Sequence, residues 1–185
     1  ALCVSYSGQC LTSESLGGRS ANRGQCAQSC RLAYDLIVDG KRQELGDRRY
    51  LVSPKDLCSL DDAPALRDMG VNSFKIEGRL KSPEYVATTA RAYRASLREE
   101  PTENTADDLK VIYSRDFFNG WFNGVNHQKL VRGDFSSHVG LELGVVQEIR
   151  RNTVVITSIR ALKNGDGLLF LDPSSDRRLG SPVYH

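Results

Sequence analysis

All five cysteines lie within the first 58 residues of a 185-residue chain. They are Cys3, Cys10, Cys26, Cys30 and Cys58. All but Cys58 stand among Gly, Ser, Gln and Arg, and turn signals follow at Gly17-Gly18 and at residues 22–24. A stretch of this composition has too few apolar side chains for a hydrophobic core. The first 30 residues are therefore predicted to be loops that are held by something other than a core.

Three interpretations of the cysteines follow from the residues alone. As disulfides they require an oxidising compartment, and an odd count leaves one thiol over. As buried apolar side chains they need an apolar periodic segment, which only Cys58 in KDLCSL has. As metal ligands they need flexible loops, and the spacings C-x6-C, C-x15-C, C-x3-C and C-x27-C differ from the C-x2-C of common zinc sites. An iron–sulfur cluster is wider and accepts thiolates from separated loops, so metal or cluster binding leads and the alternatives stay open.

The first 100 residues predict an α/β pattern. YDLIVDGKRQEL (34–45) predicts a hairpin that turns at Asp39-Gly40, and residues 48–53 predict a strand. A short helix over 61–69 is followed by a strand over 71–76. A second helix is expected to begin after Ser82 with an apolar stripe of Val86, Ala90, Tyr93 and Leu97. This order is typical of parallel α/β sheets or barrels.

The rest of the chain predicts a linker and a β-domain. Residues 99–108 are charged and predict a linker, and residues 109–137 are irregular, with aromatic side chains among Gly and Asn. After residue 140, LGVVQEI, NTVVITSI and GDGLLFLD predict three short strands of a small β-barrel-like domain. The expected division is 1–100, 101–139 and 140–185. The chain starts without Met and ends soon after strand-like segments, so we expect a fragment of a longer protein.

A charged motif follows the predicted strand over 71–76. Glu77 and Arg79 would lie at the carboxyl end of that strand, where ligands bind in α/β folds. An acid two residues from a bidentate anion binder can form a catalytic or anion-binding site. The alternative is an internal ion pair that ties the strand to the following helix.

Several function classes lack their sequence signature. The chain contains no HExxH, no GxSxG and no P-loop, and its net charge of +2 does not by itself indicate nucleic acid. It contains no apolar run of membrane-spanning length and no signal peptide pattern, so we expect a cytoplasmic protein with no membrane partner. His127 and His138 are interpreted as structural, and Trp121 with its neighbouring Phe side chains as a small core, with base stacking as the alternative.

The motifs, taken together, resemble a known family. ALC, SGQC, GGRS, NRGQC and CR in the first 31 residues resemble the signature region of the peptidase U32 family, the collagenase-like proteases. SPKDLC (53–58) and KIEGR (75–79), with the following Lys81-Ser82 and Tyr85-Val86, resemble two further blocks of that family. YSRDFFNGWFNGVNHQKLVRG (113–133) resembles the long subfamily that includes an rRNA 5-hydroxycytidine synthase. Val139 departs from the Arg that this resemblance leads us to expect between His138 and Gly140.

The resemblance implies a fold and a chemistry. It implies the C-terminal part of a TIM-barrel-like domain, followed by a small β-domain. It also implies an enzyme that, at full length, is an iron–sulfur-dependent RNA hydroxylase, with a peptidase or a hydroxylase of a quinone precursor as alternatives. The partner is then rRNA or tRNA, or a protein substrate if the enzyme is a peptidase, and prephenate is a candidate co-substrate. The four ligands of a 4Fe–4S cluster would be Cys3, Cys10, Cys26 and Cys58, with Cys30 as the alternate. This piece alone is expected to be inactive.

Overall fold

The structure is a computed structural model that describes residues 3–4, 9–78, 81–101, 104–172 and 177–184, except for the side chain of Asn22. The chain divides into two compact units, Ala1–Gly140 and Leu141–His185. Each unit is described by itself.

The first unit begins with short helical turns and a hairpin. Helix α1 covers Leu11–Ser15, and 3-10 turns cover Ala21–Arg23 and Ser29–Arg31. Strands β1 (Leu36–Val38) and β2 (Lys41–Gln43) then pair antiparallel. The turn between them places Asp39 and Gly40 at φ values of 50° and 73°, as a tight turn with two left-handed residues requires. The predicted hairpin is confirmed.

Two further pairs of strands join distant parts of this unit. Strand β3 (Tyr50–Pro54) pairs antiparallel with β6 (Val131–Gly133), and β4 (Asp56–Leu57) pairs parallel with β5 (Phe117–Phe118). The predicted strand over 48–53 is thus confirmed in β3. The described residues of this unit form three two-stranded sheets. Its assignment to the end of a TIM-barrel-like domain stays a prediction.

Three helices pack around the small core of the first unit. They are α2 (Ala63–Asp68), α3 (Pro83–Leu97) and α4 (Thr105–Ile112). The Ser82 hydroxyl accepts a hydrogen bond from the backbone N–H of Tyr85 at 3.3 Å, which confirms the predicted helix start. The core consists of Leu60, Ala92 and Leu109, and Cys58, Tyr93 and Phe117 pack against it. Inside this core, the Ser96 hydroxyl donates to the backbone carbonyl of Leu60 at 2.6 Å.

Three local expectations differ from the structure. Residues 71–76 form no strand, because no described strand lies beside them to pair with their backbone groups. The predicted stripe on α3 is wrong at its start, where Val86 is 58% exposed, whereas Tyr93 does pack against the core. The residues that the helix buries are Thr89, Ala92 and Ser96. Helix α4 lies partly within the charged segment 99–108 that was expected to be a linker.

The second unit consists of two hairpins. Strands β7 (Gly144–Ile149) and β8 (Val154–Ser158) pair antiparallel, as do β9 (Gly167–Leu171) and β10 (Arg178–Pro182). The three strands predicted after residue 140 are confirmed. Their closure into a barrel stays a prediction.

Within the described part of the chain, no helix is both long enough and apolar enough to cross a membrane.

Candidate functional site

A largely buried ion pair lies at the start of the parallel strand pair β4–β5. Nε of Arg115 lies 3.2 Å from both carboxylate oxygens of Asp56, and the backbone N–H of Arg115 donates to Oδ2 at 2.9 Å. The side chains of Arg115 and Asp56 are only 15% and 16% exposed. Burial by itself would raise the pKa of Asp56, but the hydrogen bonds and positive charge of Arg115 lower it below its ordinary value. Asp56 is therefore an anion that stabilises a buried guanidinium.

A second arginine lies near this pair. The Arg31 guanidinium donates to the Ser53 hydroxyl at 2.7 Å and to the backbone carbonyl of Pro54, both on strand β3. Burial lowers the pKa of Arg31, and the neighbouring charge of Arg115 lowers it further, while Cys30 and Asp56 act in the opposite direction. The carboxylate that acts on both guanidinium groups is Asp56. Arg115 thus pairs directly with Asp56, and Arg31 lies within electrostatic range of the same carboxylate, so that two positive charges lie near one negative charge.

Aromatic rings lie beside the arginines and form, with two cations, what we term the cation–aromatic cluster: Lys81, Tyr85, Tyr113, Arg115 and His138. The rings of Tyr113 and His138 are stacked, with centroids 5.4 Å apart and planes inclined by 13°. The ring of Tyr85 meets Tyr113 edge-on at 6.3 Å. Cζ of Arg115 lies 5.5 Å from the centroid of Tyr113. Tyr113 is therefore the centre of the cluster.

Lys81 contributes a second positive charge to the cluster and is half-buried. Its Nζ lies 2.8 Å from the centroid of Tyr113 and 5.8 Å from that of Tyr85, in a cation–π arrangement. Among the described residues no carboxylate forms an ion pair with Lys81. The contacts of its ammonium group that the described residues show are therefore with the two aromatic rings.

The imidazole of His138 is fixed by the backbone. Its Nδ1 lies 3.0 Å from the backbone nitrogen and 3.1 Å from the backbone oxygen of Ser114. The next residue, Val139, donates its N–H to that same oxygen at 2.8 Å. These contacts hold the ring parallel to Tyr113, although the residue itself is exposed. The stack therefore has a fixed orientation.

Three of the cysteines lie in one electrostatic neighbourhood next to the arginines. Burial raises the pKa of the Cys30 thiol, Arg31 lowers it, and Cys26 and Cys3 raise it further. Cys26 itself accepts the backbone N–H of Gln28 at its sulfur, at 3.3 Å. Cys3 and Cys26 therefore both lie within electrostatic range of Cys30, which itself lies within range of Arg31 and Arg115.

Cys10 belongs to the same part of the unit. It is half-buried and immediately precedes helix α1. The buried Ser13 hydroxyl of that helix accepts the backbone N–H of Ala27 at 2.7 Å, which ties the Cys26 loop to the helix that follows Cys10.

Cys58 has different neighbours. Burial raises the pKa of its thiol, contacts with Leu60 and Tyr93 lower it, and Asp61 and Asp62 raise it. It lines a cleft of about 460 Å³ together with Lys55, Leu60, Asp61, Ala106, Phe117, Phe118, Asn119 and Lys129. Its backbone N–H donates to the backbone carbonyl of Phe118 at 2.9 Å, which continues the pairing of β4 with β5. In such an extended chain the Cα atoms of Cys58 and Asp56 are about 7 Å apart. Cys58 thus lies two residues along the chain from Asp56, which pairs with Arg115.

The cysteines fit an iron–sulfur cluster by chemistry. Thiolates are the ligands of such clusters, and all five cysteines are thiols in the first unit. Within the described residues, no three His, Cys, Asp or Glu side chains are arranged as a metal site. Binding of a cluster is coupled to ordering of the loops that carry its ligands. The five thiols are therefore chemically suitable ligands even though, among the described residues, their sulfur atoms are not already arranged around one centre. The ligand assignment of Cys3, Cys10, Cys26 and Cys58, with Cys30 as alternate, stays a prediction.

The predicted pair Glu77 and Arg79 is described only in part. Arg79 lies outside the described residues. Oε1 of Glu77 lies 2.9 Å from Nζ of Lys75, and these side chains are 72% and 84% exposed. The positive charge of Lys75 and its hydrogen bond lower the pKa of Glu77. The backbone carbonyl of Glu77 accepts a 3.4 Å hydrogen bond from Tyr85, so the motif adjoins the cation–aromatic cluster.

Sequence reasoning did not identify Asp56, Tyr113 or Arg115 as parts of a site, and it noted Lys81 only as a neighbour of the Glu77–Arg79 motif. The signal nearest to them is YSRD at 113–116, where Ser and Asp often close a local turn. In the structure the Ser114 hydroxyl does accept the backbone N–H of Asp116 at 2.9 Å. This turn places Tyr113 and Arg115 in the cluster, but its partners 24 to 59 residues away have no local signal.

Comparison with known proteins identifies one family, whose members carry different names. The family model described as peptidase family U32 matches residues 1–132. The chain is 38% identical to a 23S rRNA 5-hydroxycytidine synthase of Escherichia coli, over 91% of this chain and 28% of that protein. It is 33% identical to a tRNA hydroxylation protein of Bacillus subtilis, over 94% of this chain and 45% of that protein. It is 36% identical to a collagenase of Porphyromonas gingivalis, over 67% of this chain and 36% of that protein.

The chain therefore spans less than half the length of each of these relatives. No solved structure matches it.

Proposed function

Because the chain belongs to the peptidase U32 family, we propose that the full-length protein is an enzyme that hydroxylates a base in ribosomal or transfer RNA. The two relatives named above for RNA hydroxylation match more than nine-tenths of this chain, and the collagenase matches two-thirds of it. However, a relative named as an uncharacterised protease, from Methanocaldococcus jannaschii, matches 92% of it at 35% identity. The extent of the match therefore does not separate the two activities, and the proposal rests on the arrangement of the site.

One structural observation carries this proposal. Positive charge, stacked rings and thiols lie together in the first unit: Arg31 and Arg115 lie within electrostatic range of Asp56, Tyr113 stacks on His138, and Cys30 lies within range of both arginines. An RNA strand requires positive charge for its phosphates and rings for its unstacked bases. A hydroxylase also requires a redox group near the base. This combination supports an RNA-modifying site better than a general binding surface.

A 4Fe–4S cluster is proposed as the cofactor of the full-length protein. Cys3, Cys10, Cys26 and Cys58 would hold it, with Cys30 as the alternate. When bound, such a cluster supplies one-electron transfer. Burial raises the pKa of the Cys30 thiol more than the positive charge of Arg31 lowers it, so binding of the cluster would have to displace the thiol proton.

The overall chemistry sets further requirements. Hydroxylation replaces a C–H bond by a C–OH bond, so with water as the oxygen source two protons and two electrons leave the base. The full-length enzyme therefore requires an electron acceptor, or dioxygen together with a two-electron donor. Prephenate stays the proposed co-substrate that the family resemblance implies. The residues described here would bind and orient the RNA, and Glu77 and Arg79 stay candidates for catalytic roles.

Hydrolysis of a protein substrate is the second candidate. It is favoured by the 36% identity to a collagenase. The two described histidines pack on aromatic rings, His127 edge-on against Trp121 at 5.7 Å and His138 parallel to Tyr113. In the described part of the chain neither ring is hydrogen-bonded to a thiol or a hydroxyl, which is the contact that an activated nucleophile requires. RNA hydroxylation is therefore the stronger proposal.

The test is a comparison of RNA from the source organism with and without the gene. Ribosomal and transfer RNA are digested to nucleosides and analysed by mass spectrometry. The proposal predicts that deletion removes a nucleoside that carries one additional oxygen atom, and that the wild-type gene on a plasmid restores it. Identical nucleosides in both strains, together with gelatin cleavage by the purified full-length protein, would instead support the peptidase.

A further inference from the structure

We propose that the cation–aromatic cluster holds one nucleotide of the RNA strand, with its base stacked on the Tyr113–His138 ring pair and its phosphate bound by Lys81. This inference rests on the proposed RNA-modifying function and assigns residues to substrate binding within it. None of these residues belongs to the cysteine set, so the cluster is a separate part of the site.

The ring pair provides the stacking surface. The planes of Tyr113 and His138 are within 13° of parallel. His138 is exposed, while Tyr113 is half-buried, so the stack begins inside the unit and ends at its surface. Nδ1 of His138 lies within hydrogen-bond distance of both the backbone N–H and the carbonyl of Ser114 and bonds to one of them according to its tautomer, which fixes the outer ring in place. A third flat ring can therefore extend the stack without ordering the protein further, and single-stranded RNA is recognised by such stacking on Tyr and His.

The cations provide the phosphate site. Arg115 is neutralised by Asp56, but Lys81 rests on the Tyr113 ring and has no carboxylate partner in the described part of the chain. Lys81 and His138 both contact the Tyr113 ring, and the inference therefore assigns the phosphate of a nucleotide stacked on His138 to this ammonium group. Arg31 adds positive charge nearby, since its electrostatic neighbours include Tyr113 and Arg115. The excess of positive charge favours an anion over a neutral or cationic ligand.

The polar and apolar sides of the cluster match a nucleotide in particular. A peptide carboxylate would use the cations but would leave the exposed face of the His138 ring without a planar partner. A small dicarboxylate would do the same. A nucleotide uses both the stacked rings and Lys81, because its ribose links a phosphate anion and a flat base within one short unit.

The experiment measures binding of a fluorescein-labelled single-stranded oligoribonucleotide to the full-length protein by fluorescence anisotropy. Tyr113→Leu removes the ring while keeping an apolar side chain, and Tyr113→Phe keeps the ring. We expect His138→Ala, which removes the ring that the base contacts, to weaken binding by about 5- to 150-fold, the range for loss of one base–aromatic stack. Tyr113→Leu removes the ring behind it and is expected to weaken binding as well. Tyr113→Phe is expected to restore the affinity to within about twofold. If Tyr113→Leu fails to fold by circular dichroism, His138→Ala tests the same stack at its exposed end.

Lys81→Gln tests the phosphate contact independently. Loss of one phosphate contact reduces the slope of log K against log salt concentration by about 0.7 for a single strand. Lys75→Gln is the matched control, because Lys75 is a lysine of the same segment that is 84% exposed and paired with Glu77. We expect the reduced slope for Lys81→Gln, and for Lys75→Gln the wild-type slope.

Three outcomes overturn the inference and separate it from the proposed function. If the ring variants bind as the wild type does and Lys81→Gln keeps the wild-type slope, while cells still make the hydroxylated nucleoside, the inference fails and the function stands. If the wild-type protein binds no single-stranded RNA and makes no such nucleoside, both fail. If malonate binds in a manner that depends on Lys81 and Tyr113 while RNA affinity does not, the cluster is a site for a small carboxylate.

Discussion

The buried pair of Asp56 and Arg115 allows a sharp test of what holds the site together. Asp56→Asn keeps the shape of the side chain, and its amide oxygen can still accept the backbone N–H of Arg115, which lies 2.9 Å away. It removes the negative charge that offsets the guanidinium groups of both Arg115 and Arg31. The substitution therefore leaves two like charges close together in a mostly buried place.

The expected loss of unfolding free energy depends on how deeply the pair is buried and on the hydrogen bond that the introduced amide keeps. Removal of one partner of a buried ion pair costs about 3–5 kcal/mol of unfolding free energy. Asp56 and Arg115 keep 16% and 15% of their surface exposed, and one hydrogen bond survives, so we expect a loss of about 2–3 kcal/mol. Asp35→Asn is the control, because Asp35 forms a surface ion pair with Arg42. An oxygen of its carboxylate lies 3.2 Å from the guanidinium, and the two side chains are 59% and 62% exposed. A pair of that kind contributes below about 1 kcal/mol.

The assay is urea unfolding of the full-length protein, followed by circular dichroism. We expect Asp56→Asn to lower the unfolding free energy clearly more than Asp35→Asn does, with an unchanged slope against urea. Equal losses for the two variants would refute the reasoning, because the pair would then contribute no more than an exposed ion pair.

Three further predictions concern the pH dependence of this pair, a buried hydroxyl and a cysteine. The pKa of Asp56 is lowered in the folded protein, so its contribution to the free energy of unfolding is present above its ordinary pKa of 3.8 and is lost as the pH falls through the lower folded pKa. The stability difference between wild type and Asp56→Asn, measured by urea titration, should therefore shrink below about pH 4. Ser96→Ala leaves the Leu60 carbonyl without its buried 2.6 Å donor and should cost about 1–3 kcal/mol in the same assay, whereas an unchanged value would mean that water replaces the hydroxyl. Cys10→Ala should abolish the visible absorption of the anaerobically purified full-length protein while Ser7→Ala preserves it, and full absorption in Cys10→Ala would remove this cysteine from the ligand set.

Local chemistry predicted the local elements well. Asp39-Gly40 fixed a hairpin because both residues accept positive φ, and Ser82-Pro83 fixed the start of α3 because one caps it and the other suits its first turn. The hairpin of β7 and β8 followed from its turn and its β-branched residues. These features depend on neighbours in the sequence.

The remaining features depend on contacts between distant residues. A strand was expected at residues 71–76 from composition, but a strand also needs a partner, and composition does not supply one. The buried face of α3 is set by its packing against α2 and α4, which made Val86 exposed and Ser96 buried. The pairing of Asp56 with Arg115 and the stacking of Tyr113 on His138 join residues far apart in the sequence, so no local pattern indicated this part of the candidate site.

The central claim, that the full-length protein hydroxylates RNA, is tested most directly by gain of a modification in a foreign host. The full-length protein, and its Cys10→Ala variant as control, are expressed in Escherichia coli that lacks its own 23S rRNA 5-hydroxycytidine synthase and tRNA hydroxylation protein. Mass spectrometry of digested rRNA and tRNA then counts the nucleosides. The account predicts a nucleoside with one added oxygen atom in cells with the wild-type protein and its absence in cells with the variant. Unmodified RNA in cells that contain folded wild-type protein with its visible absorption intact would contradict the account.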